Sequence, residues 1–152
     1  WSSDVCSSDL AGHPPALAII PQMAPIRVLQ VGLGPIGAAV ARLVVKRPGL
    51  SLVGAVDVDP AKAGRPLGAV LGVSPSLRTP VSADIASAVR AMRPDVVLHC
   101  TSSSLETVWP QLRTILAAGI PIVSTTEELA YPWRVQRPLA VRTRPCQRRC
   151  HR

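Results

Sequence analysis

The sequence predicts an α/β fold with a doubly wound parallel sheet, and three observations support this prediction. Hydrophobic residues make up 47% of the 152 residues and aromatic residues only 3%. This composition is typical of a domain-sized chain with a buried parallel sheet rich in Val, Leu, Ile and Ala. Short apolar runs alternate with segments of helical period, as in repeated strand–helix–strand units. A glycine-rich turn joins the first apolar run to the first helical segment.

The N-terminal elements have the clearest patterns. Ile26–Val31 predicts a strand, because apolar and polar residues alternate until a glycine follows. Pro35–Lys46 predicts a helix, since its apolar residues share one face and proline is tolerated in a first turn. Residues 51–57 predict a second strand that closes on an acidic residue. Residues 60–80 are rich in proline and glycine and predict a loop with at most one short helix.

The later elements continue the alternation of strands and helices. Residues 84–92 predict a helix with Asp84 as its N-cap. Residues 95–100 predict a third clear strand, and residues 121–124 predict a further one. This order of elements favours a parallel sheet covered by helices.

The helix between the last two strands carries conflicting signals. Ser103 and Glu106 have the spacing of a capping box, which predicts that the helix begins at this point. Pro110 falls inside the helical pattern, so we expect a short first turn and a restart at this residue. Gly119 is suited to the position just after a helix and predicts its end.

Three glycines at the first strand–helix junction carry the strongest functional signal. Gly32, Gly34 and Gly37 have the spacing G-x-G-x-x-G, and Pro35 and Ile36 lie between the last two. In a dinucleotide-binding fold of the Rossmann type, such glycines permit a tight turn, the approach of a pyrophosphate and close helix–strand packing. The free N–H groups at the helix start then face the phosphates. The alternative is a turn whose glycines serve packing alone.

An acidic residue at the end of the second strand agrees with this motif. Asp57 follows Gly37 by 20 residues, where an acid accepts hydrogen bonds from the adenosine ribose and favours NAD. Lys62 and Arg65 follow closely. They are either solvated loop charges or partners of the 2′-phosphate of NADP. The residues therefore leave the choice between NAD and NADP open.

Polar residues also follow the later strands. Thr101 and Ser102 come at the end of the third strand, and Thr125 at the end of the last one. Because ligands bind beyond the carboxyl ends of strands in such sheets, we expect these residues on the nicotinamide side of the cofactor. Helix capping and turn formation are the alternative. His99 lies in an apolar strand and is predicted to be a core residue with satisfied hydrogen bonds.

The net charge of +8 is concentrated near the C-terminus. Residues 134–152 hold seven arginines and no acidic residue. A basic tail can bind phosphate backbones without specificity, but we interpret this segment as non-native or frameshifted and predict no nucleic-acid partner.

Residues 1–22 are interpreted as a non-native leader, because they begin with a near-repeat that resembles a translated sequencing adapter. Residues 23–133 then form the predicted cofactor-binding domain.

The remaining composition argues against several other classes of protein. Cys6, Cys146 and Cys150 lie in the two suspect ends and Cys100 ends a strand, so neither a disulfide framework nor a metal site is predicted. No apolar run reaches the roughly 18 to 20 residues that a membrane helix needs. We therefore expect no membrane partner and a cytoplasmic location.

The motif residues resemble a known family. Residues 28–37 and 52–57 resemble the N-terminal domain of dihydrodipicolinate reductase. Residues 95–105 and 122–133 are closer to one branch of this group, the 2,4-diaminopentanoate dehydrogenase-like amine dehydrogenases. Dihydrodipicolinate reductase usually has a glycine after its strand-end threonine pair, where this chain has Glu127. That difference argues against the reductase itself. Glu127 and Glu128 are either solvated or able to bind an amine substrate.

The resemblance implies an NAD(P)H-dependent oxidoreductase that transfers hydride to or from the carbon–nitrogen centre of a small amine or imine. It implies that the matched glycines, Asp57, Thr101 and Thr125 contact the cofactor. In this family the substrate and the acid groups lie in a C-terminal domain. We therefore expect that domain to be missing here, the catalytic residues to be unknown, the chain to be inactive alone and the full-length protein to be a homo-oligomer.

Two other functions fit the same residues. One is a non-catalytic, nucleotide-sensing Rossmann module. The other is the cofactor half of a different dehydrogenase, acting on amino acids or their semialdehydes. Both share the glycine turn and the strand-end acid, so these residues do not separate them from the first hypothesis.

Overall fold

The computed structural model describes residues 24–73 and 77–132. The two terminal segments that the sequence marks as non-native lie outside the described residues, and so do Met23, Cys6 and the two C-terminal cysteines. Within the described part, no helix is long and apolar enough to cross a membrane.

Four parallel strands form one sheet at the centre of the fold. They are β1 (Ile26–Val31), β2 (Leu50–Val56), β3 (Val96–His99) and β4 (Ile122–Ser124). Their order across the sheet is β2-β1-β3-β4, and every neighbouring pair is parallel. The α/β prediction is confirmed, and each predicted strand is present to within a residue or two at its ends.

The helices agree with the sequence pattern in number and order. They are α1 (Pro35–Lys46), α2 (Leu67–Leu71), α3 (Ile85–Met92) and α4 (Leu105–Ala117), followed by a single 3₁₀ turn at Glu127–Ala130. The short α2 is the one helix that the loop at residues 60–80 was expected to allow. Asp84 caps α3 as predicted, because its carboxylate accepts a hydrogen bond of 2.7 Å from the Ser87 N–H.

Helices cover both faces of the sheet, which is the arrangement that the term doubly wound describes. Successive residues of β1 point to opposite faces, so Val28 joins one buried cluster and Leu29 the other. Ala41 of α1 lies in the first cluster and Ile115 of α4 in the second. The sheet is therefore buried on both sides, as the composition rich in Val, Leu, Ile and Ala predicted.

The segment after α2 adds a short extension to the sheet beside β2. The Asp57 N–H donates to the Ser82 carbonyl at 3.0 Å, and the Ser82 N–H donates to the Ala55 carbonyl at 2.9 Å. Ser82 pairs in parallel with Val56. This pairing fixes the course of the chain next to the end of β2, where Asp57 lies.

The predicted break in α4 at Pro110 is wrong, because the helix runs through this residue without interruption. A proline inside a helix costs about 3 kcal/mol relative to alanine. Burial of each large aliphatic side chain on the inner face of α4 contributes roughly 1.5–3 kcal/mol, which offsets that cost. The buried residues of α4 are Leu105, Val108, Leu112 and Ile115.

The capping box predicted at Ser103 and Glu106 is also wrong. The N-cap of α4 is Ser104, whose side chain makes no capping hydrogen bond. The Glu128 carboxylate instead accepts a hydrogen bond of 2.7 Å from the Leu105 N–H. Thus a residue 23 positions later in the sequence supplies the negative charge that a helix N-terminus favours. Gly119 follows the C-cap in a left-handed conformation (φ 72°), as predicted.

We expect Glu128→Ala to lower the free energy of unfolding by about 1 kcal/mol, because the Leu105 N–H loses a charged capping partner. Chemical denaturation at neutral pH measures this difference. The matched control is Glu127→Ala, since Glu127 is exposed and has no such bond to α4 in the described part of the chain. Equal stability of the two variants would contradict the capping role.

Candidate functional site

A cleft of about 610 Å³ lies across the carboxyl ends of β2, β1 and β3. The chain leaves β1 toward β2 on one side and later returns to β3 on the other. The two crossovers therefore diverge between β1 and β3, and ligands of doubly wound sheets bind at this divergence. The volume lies within the range of small-molecule and cofactor sites.

Packing explains two of the three glycines in the turn between β1 and α1. Gly32 has φ 86°, and a Cβ on it would overlap the Cys100 carbonyl. A Cβ on Gly37 would overlap the Gly32 carbonyl. The turn, the first turn of α1 and the end of β3 thus touch through backbone atoms, and no larger residue fits at either position.

Gly34 differs from these two glycines, because no protein atom explains it. Its φ of −64° is accessible to any residue, and a Cβ built on it would meet nothing within 4 Å. Gly34 lines the cleft, so the space above it is open to a ligand. Pro35 is the first residue of α1, and Ile36 is 64% exposed; neither lines the cleft.

Gln30 is part of the site that sequence reasoning missed. This residue of β1 is fully buried, and its side-chain amide donates to the Gly32 carbonyl at 3.0 Å. Its Oε1 atom is buried without a hydrogen-bond partner, which costs about 1–3 kcal/mol. Gln30 is one of two polar residues of β1, beside Arg27, and nothing in the sequence pattern distinguishes the buried one from the exposed one. Gln30 thus fixes the position of the glycine turn through a hydrogen bond from the core side of the sheet.

Asp57 lies at the end of β2 beside the glycine turn. One carboxylate oxygen accepts a hydrogen bond of 2.7 Å from the Leu33 N–H, and the other accepts one of 2.9 Å from the Asp59 N–H. Asp57 also lines the cleft. Two backbone donors therefore fix the orientation of this carboxylate at the ligand-facing edge of the sheet.

Lys62 lies between two carboxylates at this end of the cleft. Its ammonium is 3.4 Å from Asp57 Oδ2 and 3.2 Å from Asp59 Oδ2. Its bond to Asp59 is the largest of the effects that raise the pKa of Lys62. The Ala61 N–H and then Lys62 lower the pKa of Asp59. Arg65 is exposed, donates to the Ala61 carbonyl at 3.3 Å and does not line the cleft.

Thr101 and Ser102 line the opposite end of the cleft, beyond β3. The structure does not place Thr125 with them. Its side chain is exposed away from the cleft, and its N–H donates to the His99 carbonyl at 3.0 Å. Of the predicted cofactor-contacting residues, Gly32, Gly34, Asp57, Thr101 and Ser102 therefore come together, whereas Gly37 supports them from beneath.

His99 is fully buried below Thr101 and hydrogen-bonded on both ring nitrogens. Nδ1 lies 3.2 Å from Ser124 Oγ, and Nε2 lies 2.8 Å from the terminal amide of Gln111. Burial lowers the pKa of His99. His99 thus has the satisfied hydrogen bonds of a core residue.

Within residues 24–73 and 77–132, no group of His, Cys, Asp and Glu could hold a metal ion.

We expect the free energy of unfolding to fall as the pH is lowered from 7.5 toward 5. A depressed pKa in the folded state means that the unfolded chain binds a proton at His99 first, at a pKa near 6.5. The contribution of His99 to the free energy of unfolding is therefore fully present above that pH. It is lost as the pH falls below it, by at most about 1.4 kcal/mol per pH unit. Asp59 and Asp84 also have lowered pKa values, but from 3.8, outside this window. Denaturation curves of the wild type and His99→Gln measure the effect, and equal slopes with pH would contradict it.

Comparison with known proteins identifies the family of this domain. Residues 26–129 match the family model described as dihydrodipicolinate reductase, N-terminus. A 4-hydroxy-tetrahydrodipicolinate reductase from Synechocystis sp. is 36% identical over 104 residues, which cover 65% of this chain and 37% of that protein. A 2,4-diaminopentanoate dehydrogenase from Acetoanaerobium sticklandii is 29% identical over 127 residues, which cover 78% of this chain and 33% of that protein.

A solved structure has the same fold and a similar sequence. The amine dehydrogenase from Mycobacterium smegmatis superposes with a TM-score of 0.74 and 30% identity, covering 80% of this chain and 36% of that one. The chain thus spans about a third of the length of these relatives. The match over 104 residues of the described fold shows that the chain belongs to the dihydrodipicolinate reductase N-terminal domain family.

Proposed function

We propose that the chain is the dinucleotide-binding part of an NAD(P)-dependent oxidoreductase that acts on a carbon–nitrogen centre. The open space at Gly34 carries this proposal. Gly32 and Gly37 are required by protein packing, whereas Gly34 has a common backbone conformation and free space where its Cβ would lie. A glycine that the protein does not need, at the start of a helix and on the wall of a cleft, suits the close approach of a pyrophosphate.

The residues around the cleft fit a dinucleotide placed along it. The N–H groups at the start of α1 would bind the pyrophosphate, and Asp57 would accept hydrogen bonds from the adenosine ribose. Thr101 and Ser102 would face the nicotinamide nucleoside half, because they lie beyond the neighbouring strand. The nicotinamide, when bound, supplies or accepts a hydride. The described residues orient it and contribute no acid or base that we assign to the reaction.

The proposed substrate class rests on the relatives. Two of those named above are dehydrogenases, of 2,4-diaminopentanoate and of amines, and the third is a reductase of the 4-hydroxy-tetrahydrodipicolinate type. Their shared chemistry favours an amine or imine substrate over the semialdehyde alternative, and a catalytic function over a nucleotide-sensing one. The similarity to an amine dehydrogenase supports a small amine as the substrate.

The chain alone should bind cofactor without turning over substrate. It matches the N-terminal domain of the family but spans only about a third of the length of its relatives. We expect no amine-dependent reduction of NAD or NADP by the purified 152-residue chain. Spectrophotometric assay at 340 nm tests this (an ordinary readout of reduced nicotinamide), and measurable turnover would contradict it.

The charges at the Asp57 end favour the cofactor without a 2′-phosphate. Two carboxylates face a single ammonium there, since Lys62 lies between Asp57 and Asp59. A 2′-phosphate would add negative charge beside a site that is already net negative, whereas a ribose 2′-hydroxyl can donate to Asp57. We therefore propose that NADH is the preferred ligand over NADPH.

Gly34→Ala should abolish most cofactor binding without destabilising the fold. The added methyl group would occupy the space of the pyrophosphate and weaken NADH binding by about 2 kcal/mol, which is roughly thirtyfold. The unfolding free energy should change by less than about 0.5 kcal/mol, because no protein atom is near. Fluorescence titration with NADH and thermal unfolding measure the two quantities.

The same substitution at Gly37 is the matched contrast. Gly37→Ala should lower stability by roughly 1–3 kcal/mol, because its methyl group would overlap the Gly32 carbonyl. Leu43→Ala, an exposed position on α1 outside the cleft, should leave NADH affinity unchanged. A Gly34→Ala variant that binds NADH like the wild type would contradict the proposed function.

Cofactor preference gives a second test of the Asp57 end. We expect NADH to bind about tenfold more tightly than NADPH, equivalent to about 1.4 kcal/mol. Asp57→Asn should reduce this preference of NADH over NADPH, because the substitution removes one negative charge and one acceptor for the ribose hydroxyl. Asp95→Asn is the control, since Asp95 accepts from the Arg27 N–H at 2.8 Å and does not line the cleft. Tighter binding of NADPH by the wild type would overturn the charge argument.

A further inference from the structure

A connected network of polar side chains lies under the Thr101 end of the cleft. It joins the end of β3, the inner side of α4 and the C-terminal end of β4 with the residues that follow it. His99 at its centre is fully buried, whereas Thr101 and Gln111 line the cleft. Ser124 and Thr126 complete it on the other side of the histidine. The direction of each hydrogen bond follows from counting the protons that the network contains.

The Ser102 carbonyl, at one end of the network, can only accept a hydrogen bond. The Thr126 hydroxyl donates to the Ser102 carbonyl at 2.9 Å, so its single proton is used there. Ser124 Oγ lies 2.9 Å from Thr126 Oγ1 and must therefore donate to it. Ser124 then has no proton left for His99 Nδ1 at 3.2 Å. It follows that Nδ1 carries the proton and donates to Ser124.

The protonated Nδ1 determines what Nε2 can do. The His99 imidazole is buried, and burial lowers its pKa, so the ring is neutral at pH 7. Nε2 is then an acceptor, and the Gln111 amide atom assigned as Oε1 lies 2.8 Å from it. Two acceptors cannot form a hydrogen bond. The amide nitrogen and oxygen have nearly the same shape, and hydrogen-bond partners decide between them. The Gln111 NH₂ group therefore faces the histidine.

The orientation of Gln111 decides that of Thr101. Thr101 Oγ1 lies 3.1 Å from the same amide atom and 3.1 Å from His99 Nε2. The single lone pair of Nε2 is already used by the shorter bond from Gln111, and the second amide N–H can donate to Thr101. The Thr101 hydroxyl proton consequently has no acceptor inside the network. Because Thr101 is exposed on the cleft wall, that proton is directed at the cleft.

We infer that His99 and Gln111 are positioning residues that hold the Thr101 hydroxyl as a hydrogen-bond donor toward the cleft. The ligand group at this end is then an acceptor, a hydroxyl or carbonyl oxygen of the nicotinamide riboside half. The identity of that ligand rests on the proposed function, whereas the orientation of the hydroxyl does not. The Ser102 carbonyl and the donor at Thr101 are the two ends of this chain of hydrogen bonds, and the Nδ1-protonated ring lies at its centre.

Nitrogen NMR of the 152-residue chain tests the orientation without any ligand. Long-range ¹H–¹⁵N spectra at pH 7.5 report which imidazole nitrogen carries the proton, and loss of the signal in His99→Gln assigns it. We expect the neutral form protonated on Nδ1. A ring protonated on Nε2, or on both nitrogens, would overturn the inference, because the Gln111 oxygen would then face the histidine and accept the Thr101 proton.

Binding of NADH and ADP tests the role of the donor. Thr101→Val should weaken the binding of NADH about fivefold, which is the effect of one neutral hydrogen bond. It should leave the affinity for ADP unchanged, because ADP lacks the nicotinamide riboside. Thr101→Ser keeps the hydroxyl and should restore NADH affinity. Gln111→Glu should weaken the binding of NADH to a similar degree, since a carboxylate 3.1 Å from the Thr101 hydroxyl would accept its proton.

The outcomes separate this inference from the proposed function. A wild-type chain that binds neither ADP nor NADH would refute the proposed function, while the histidine tautomer would still decide the orientation of Thr101. Normal binding of NADH by both Thr101→Val and Gln111→Glu would refute the donor role alone. Equal losses of NADH and ADP in these variants would also refute it, because the effect would then be structural.

Discussion

Backbone atoms of three segments meet at the base of the cleft, closer than any side chain would permit. The turn at Gly32 lies against the Cys100 carbonyl, and Gly37 of α1 lies against the Gly32 carbonyl. Gln30 fixes the same carbonyl from the core with a hydrogen bond of 3.0 Å. These contacts place the start of α1 above the ends of β1 and β3. The cleft, its depth and the exposure of Gly34 all depend on this close approach.

The two ends of the cleft differ in their chemistry. Asp57, Asp59 and Lys62 make the β2 end charged and net negative. Beyond β3 the lining residues are uncharged, and Thr101, Ser102 and Gln111 contribute hydroxyl and amide groups above the buried His99. Helix N–H groups lie between the two ends. A ligand that fits all three regions has a ribose at one end, a diphosphate in the middle and a neutral polar group at the other end, which describes a nicotinamide dinucleotide.

The fold and half of the site could be predicted from local patterns. Periodicity located the strands and helices, and the glycine spacing with Asp57 located the charged end of the cleft. Contacts between residues distant in sequence were not predictable in this way. Glu128 caps a helix that begins 23 residues earlier, and the partners of His99 come from α4 and from the last residue of β4. Pro110 was misjudged because its local cost is offset by burial that only the tertiary fold provides. Gln30 was overlooked because nothing in the alternation of β1 shows that its amide would reach the turn.

Titration of the ¹⁵N-labelled chain with NADH, followed through backbone amide shifts, tests most directly that one ligand spans this cleft. The proposed function predicts saturable shifts with a single dissociation constant at Leu33 and Gly34, at Asp59 near β2, and at Ser102 beyond β3. It predicts none at Val123 on the exposed edge of β4. Shifts confined to the arginine-rich residues 134–152, or no saturable shifts in a folded chain, would contradict the account.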